Sequence, residues 1–149
     1  MKQRTQKALE SFRAEQNCAQ SVLTSYSDKL NFDKALALSI TSGFGAGMGR
    51  LQKTCGAVTG AFMVIGIYND MHISDSNESK ETTNTMIQKF NEKFNAIHQT
   101  TDCAKLLNCD LKTEKGQEHF HDNNLIEKVC EKCISNSILM INELTNQKD

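Results

Sequence analysis

Residues 42–68 read S-G-F-G-A-G-M-G-R-L-Q-K-T-C-G-A-V-T-G-A-F-M-V-I-G-I-Y, from Ser42 to Tyr68, and their reading decides the fold. Four glycines alternate (Gly43, Gly45, Gly47, Gly49), Arg50 and Lys53 follow, and Thr54 precedes Cys55. A nearly uninterrupted run of small and apolar residues comes next. The pattern predicts a glycine-rich loop feeding a buried helix, with Thr54 as N-cap and Cys55 at the first helical position. Free N–H groups and the helix dipole would then put positive charge beside the sulfur and lower its pKa. A thiolate attacks disulfides and binds metals, so Cys55 is the leading candidate for a working residue.

Gly56 and Gly60 lie four apart with Ala57 and Ala61 beside them, a stripe on which another helix backbone can pack closely. That partner can be a helix of the same chain or of a second copy, which would make a homodimer. In the plainest alternative, Cys55 is an inert small hydrophobe in a tight core. No glycine precedes Lys53-Thr54, so there is no P-loop, and the glycines miss the G-x-G-x-x-G spacing of dinucleotide sites. The apolar run is shorter than the roughly 20 residues that cross a bilayer.

The chain has 149 residues, which suits one domain spanning 1–149. Its net charge of −1 and pI of about 6.4 supply no field to recruit nucleic acid or anionic lipid. The opening M-K-Q-R-T-Q-K-A-L-E is basic and lacks a signal peptide's apolar run, so a cytoplasmic protein without membrane insertion is expected. The six cysteines are too few for a secreted disulfide scaffold; in a reducing compartment they point to metal ligands or redox thiols. Proline is absent and no segment alternates apolar and polar residues as a strand does, so the expected class is all-α.

A single-domain bundle of about five helices follows from the periodicity, with the glycine-rich loop before a central buried helix. Ala8, Phe12, Ala19, Val22, Leu23 and Tyr26 predict an amphipathic helix from about Thr5 to Asp28, with Cys18 at the edge of its apolar face. Asn31 is expected to cap a second helix carrying Phe32, Leu36 and Ile40 and ending at Gly43. A fourth helix starts near Ser79, with Met86, Ile87, Phe90, Phe94 and Ile97 on one face. His98, near its end, reads as a solvated side chain or a C-terminal charge. Cys103 and Cys109 fall on a short helical turn followed by a loop. His119 and His121 are alternate residues in polar surroundings and read as solvated rather than as ligands. The last helix spans about Asn124 to Leu144, with Ile126, Cys130, Cys133, Ile134, Ser137, Ile141 and Leu144 inward.

Cys130-Glu131-Lys132-Cys133 is a C-x-x-C motif, which on a helix sets two sulfurs one turn apart, as a redox dithiol or as half of a four-thiolate site. It lacks the preceding strand and nearby proline of a thioredoxin, and Cys103/Cys109 lacks the spacing of a zinc-ribbon knuckle.

Four segments together carry a resemblance: N-C-A-Q-S-V-L, G-F-G-A-G-M-G-R-L-Q-K-T-C-G-A-V-T-G-A, C-A-K-L-L-N-C-D-L and K-V-C-E-K-C-I. In that order they resemble the C-GCAxxG-C-C family of putative redox-active proteins, from about Ala8 to Leu144. The resemblance carries four cysteine positions onto Cys18, Cys55, Cys103 and Cys130, and small-residue positions onto Gly56, Ala57 and Gly60. This chain has C-G-A where the family name has G-C-A. Cys109 and Cys133 are additional, and either can substitute for a neighbour.

The resemblance implies a helical protein that binds an iron–sulfur cluster or runs thiol–disulfide chemistry. The expected ligands or redox thiols are Cys18, Cys55, Cys103 and Cys130, with Cys133 or Cys109 as substitutes. Four close thiolates repel one another unless a cation joins them, and thiolates select iron–sulfur clusters or zinc. Backbone N–H groups at Gly47, Gly49 and Gly56 would then face the cofactor's sulfides. No Ser/His/Asp set, carboxylate pair or nucleotide loop argues for hydrolase or transferase chemistry. The expectation is an electron carrier or redox accessory serving an unknown partner protein. The alternatives are a structural zinc protein and a helical interaction module with inert thiols.

Overall fold

The structure, a computed structural model, describes residues 3–148. Among them are eight α-helices and no strand: α1 Gln3–Arg13, α2 Cys18–Thr24, α3 Lys34–Ile40, α4 Gly56–His72, α5 Ser76–His98, α6 Cys103–Leu107, α7 Glu114–Asp122 and α8 Glu131–Leu144. A 3₁₀ turn covers Ser42–Phe44, and a π-helical turn, Ile126–Cys130, runs directly into α8. The class is all-α as predicted. The count exceeds five because the long first helix is broken in two, the short turn at Cys103 closes as α6, and α7 forms after it.

The break lies between α1 and α2, where Glu15 takes a left-handed φ of 70° and Asn17 starts a new helix. Asn17 accepts from the Gln20 N–H at 2.8 Å while Gln20 caps the Asn17 N–H at 2.9 Å, a reciprocal capping box. The Asn17 amide also donates to the Thr41 carbonyl at 3.1 Å, tying α2 to the end of α3. Asn17→Ala removes the side-chain bonds to the Gln20 N–H and the Thr41 carbonyl and is expected to cost about 1–2 kcal/mol, read as a lower denaturant midpoint.

Other boundaries move for equally local reasons. Asp33, not Asn31, caps α3, its carboxylate accepting from Ala35; α3 ends at Ile40 rather than Gly43 and leaves Leu36 and Ile40 exposed. Asp75 caps α5 at Ser76, three residues before the expected start. Cys55, not Thr54, is the N-cap of α4. Thr54 is held instead by an isolated antiparallel bridge to Asp102.

The main core lies among α1, α2, α4, α5 and α8, with α4 against three of these helices. Phe90, Phe94, Ile65, Ile134, Ile138 and Ile141 are fully buried there. Within it the Tyr26 hydroxyl donates to Asn142 Oδ1 at 2.7 Å. The small-residue stripe of α4 packs within the chain: a Cβ on Gly60 would stand 2.9 Å from the Ala19 carbonyl oxygen, and one on Gly56 3.0 Å from Cys18 Cβ. Only glycine lets α2 come this near, which brings Cys18 beside the start of α4. A smaller cluster of Cys103, Leu107 and Leu111, with Phe120, Leu125 and Val129 against it, sits beside the main core. No helix among the described residues is long and apolar enough to cross a membrane.

Candidate functional site

Five cysteines, Cys18, Cys55, Cys103, Cys130 and Cys133, line one cavity of about 670 Å³ at the seam between the two clusters. The four positions singled out from the sequence therefore meet, although they come from four separate parts of the chain. Cys133 joins them. Cys109 does not; it lies at a shallow depression beside Leu51 and Lys112. All six cysteines are free thiols.

Backbone pairing sets Cys55 and Cys103 side by side. The Cys55 N–H donates to the Thr101 carbonyl at 2.8 Å, and the Cys103 N–H to the Lys53 carbonyl at 2.7 Å. Buried Gln52 fastens the far side: its amide donates to the Cys109 carbonyl and its Oε1 accepts from Leu111 N–H, both at 2.8 Å. The preceding segment is a left-handed turn, with positive φ at Ala46, Gly47, Met48, Gly49 and Arg50. Each non-glycine residue there costs about 1–2 kcal/mol, so alternating glycines make the turn affordable to the fold. Gly47 is also a contact: a Cβ there would lie 2.6 Å from the Lys53 nitrogen and 2.7 Å from Cys103 Cβ. Gly47 and Gly56 line the cavity, whereas Gly49 lies outside its wall.

The opposite wall comes from the π turn, whose extra residue per turn aims Cys130 into the cavity beside Val129 and Ile126. Glu131 pins this turn through a bidentate bond to Arg13, with both contacts at 2.7 Å. One turn further along, Cys133 is 1% exposed and reaches the same space.

The sulfurs pair. The Cys130 thiol beside Cys18, together with burial, pushes the Cys18 thiol well up. The Cys133 thiol beside Cys55 is the main cause of a lowered Cys55 pKa. Burial opposes the lowering; the Ala57 and Val58 amides assist it, although neither closes a formal capping bond. The lowering falls on Cys55 because it stands at the start of α4, where amides are free. Cys133 lies inside continuous helix with none free, and its thiol is pushed far up as the donor. Burial, then the neighbouring sulfurs of Cys55 and Cys130, push Cys103 up to about 12.

His98 stands in the last turn of α5, as expected, but is half-buried rather than fully solvated. Its Nδ1 lies 3.9 Å from Cys133 Sγ, its Nε2 lies 3.0 Å from the Asn136 amide nitrogen, and its ring packs against Phe94 at 4.4 Å. Burial and nearby Lys132 lower its pKa. Only spacing along α5, one turn past Phe94 on the buried face, could have signalled this. His119 and His121 stand exposed on α7; His119 contacts Asn123, and His121 borders the cavity. Among the described residues, no group of three or more His, Cys, Asp and Glu side chains has the arrangement a metal ion needs.

No curated protein and no solved structure matches this chain. A family model does, over residues 16–144, which include all six cysteines; its description is putative redox-active protein (C_GCAxxG_C_C). The chain belongs to that family.

Proposed function

We propose that this protein carries two electrons at a time by cycling Cys55 and Cys133 between dithiol and disulfide, as an electron carrier or redox accessory. The observation that carries the reading is that buried Cys55 and Cys133 line one cavity, and their neighbouring sulfurs favour the anion at the start of α4 and the protonated thiol on α8. An attacking thiolate and an adjacent resolving thiol are what thiol–disulfide exchange requires. Oxidation joins the two sulfurs, releases the Cys133 proton and passes two electrons to an acceptor. Cys18 and Cys130 form a second dithiol on the same cavity.

Thiols are also the right donors for an iron–sulfur cluster or zinc. Disulfide chemistry is the first reading because a Cys55 thiol pushed down beside a Cys133 thiol pushed up supplies the unlike pair that exchange uses. The experiment equilibrates the protein in glutathione buffers of stepped potential, traps free thiols with acid and alkylation, and maps the bridges by mass spectrometry. The expected result is reversible appearance of Cys55–Cys133. Anaerobically isolated protein with stoichiometric iron and sulfide, or with zinc, and no such bridge would favour the metal reading instead.

A further inference from the structure

We infer that the cavity is a substrate pocket for a low-molecular-weight disulfide with uncharged, largely apolar substituents, or in reverse for the matching thiol; this rests on the Cys55–Cys133 reading above. Phe12, Leu106, Leu107, Leu111, Phe120 and Val129 build its walls, and the cysteines are its main reactive groups. A volume of about 670 Å³ is in the range that encloses a small organic molecule. Arg13 is neutralised by Glu131, and the other ionisable side chains besides the cysteines on the cavity, Glu15, Arg50 and His121, are all exposed, so a charged substituent entering the pocket would lose water without gaining a buried partner.

Access decides against a folded protein disulfide. Cys55 is 6% exposed and Cys133 1%, below the surface that a partner's bridge could touch, whereas a small molecule reaches them through the cavity. In the exchange, Cys55 thiolate attacks one sulfur of R–S–S–R and expels RS⁻. The Cys133 sulfur then attacks the Cys55–S–R bond. The protein keeps the Cys55–Cys133 disulfide, and the second R–S leaves as RSH with the Cys133 proton. The substrate's S–S bond is reduced by two electrons and the protein is oxidised by two.

The test is a single-turnover reaction of the reduced full chain with neutral 4,4′-dithiodipyridine, with the doubly anionic Ellman reagent, and with oxidised thioredoxin as a folded protein disulfide. Formation of Cys55–Cys133 is followed by quenching and mass spectrometry, and each rate is divided by that reagent's rate on the urea-unfolded chain. The neutral reagent is expected to lead the dianion by about tenfold or more, since the dianion must shed water to enter apolar walls. Thioredoxin is expected to be slower still. Leu106→Trp and Val129→Phe each fill the cavity, and in each the neutral reagent should lose most of its advantage. Hydrogen peroxide, small enough to enter either variant and leaving as two waters, should still close the bridge in both. Equal rates for all three disulfides, or an unaltered neutral rate in both filled variants, would overturn the inference and leave the redox reading intact. No Cys55–Cys133 bridge with any oxidant, peroxide included, would overturn both.

Discussion

In a Cys133→Ala protein, alkylation of Cys55 at neutral pH is expected to fall by roughly tenfold to a hundredfold, and no bridge should form at Cys55. The size follows from a hydrogen bond to a charged group, worth about 1.5–3 kcal/mol. The Cys133 thiol is the main stabiliser of the Cys55 anion, so without it the anion forms only at higher pH. The rate of alkylation by iodoacetamide, followed against pH, should rise through a midpoint shifted upward from that of the unaltered chain. Cys133→Ser separates the two roles of this sulfur. Its hydroxyl still donates, so the midpoint stays low, yet no disulfide can close and a mixed disulfide should persist on Cys55. Alkylation curves that coincide for the Ala variant and the unaltered chain would remove Cys133 as the donor. The Ala variant also opens a small void at a site 1% exposed, so its thermal melt is recorded alongside.

The second large effect is on stability. Gly47→Ala should cost about 2–5 kcal/mol, combining the left-handed penalty with overpacking against backbone. The new Cβ would press on Gln52 Cα and the Lys53 nitrogen, both at 2.6 Å, and neither can swing aside as a flexible side chain would. Relief requires the turn at 47 to draw back from the Gln52–Lys53 backbone and from Cys103 Cβ, which uncovers Cys103. Faster Cys103 alkylation should therefore accompany the lower denaturant midpoint. Gly49→Ala is the control. Its φ is equally left-handed at 59°, but its Cβ would meet only the Gly43 carbonyl oxygen at 3.9 Å. It should cost only the backbone penalty of about 1–2 kcal/mol. Equal losses in the two variants would show that conformation alone, and not the approach to Cys103, accounts for the glycine at 47.

Much of this fold was legible because helical periodicity is a local property. The apolar run after Cys55 and the spacing of Phe90 and Phe94 identify buried helix faces in any all-α arrangement. The errors were at helix ends, where two or three hydrogen bonds decide. Asn17 looked like a residue inside a long helix, and its capping box with Gln20 instead starts a new one. Cys55 looked like the first helical residue, but the bridge of Thr54 to Asp102 takes Thr54 out of the capping position. Such a bridge joins residues far apart in the chain, so no local window contains it.

The chain's own residue order determined that this protein is helical, that glycines surround Cys55, and that cysteines recur at family positions. These properties depend on neighbours within a turn or two, and family membership is carried by the residues themselves. Only the tertiary structure decided which sulfur faces which. The close approach of α2 to α4 across Gly56 and Gly60, and the π turn ahead of α8, turn six thiols into two facing pairs, with Cys103 beside them and Cys109 left outside. Spacing along the chain is blind to that choice, because it depends on how helices pack and on which sulfur finds free amides at a helix start.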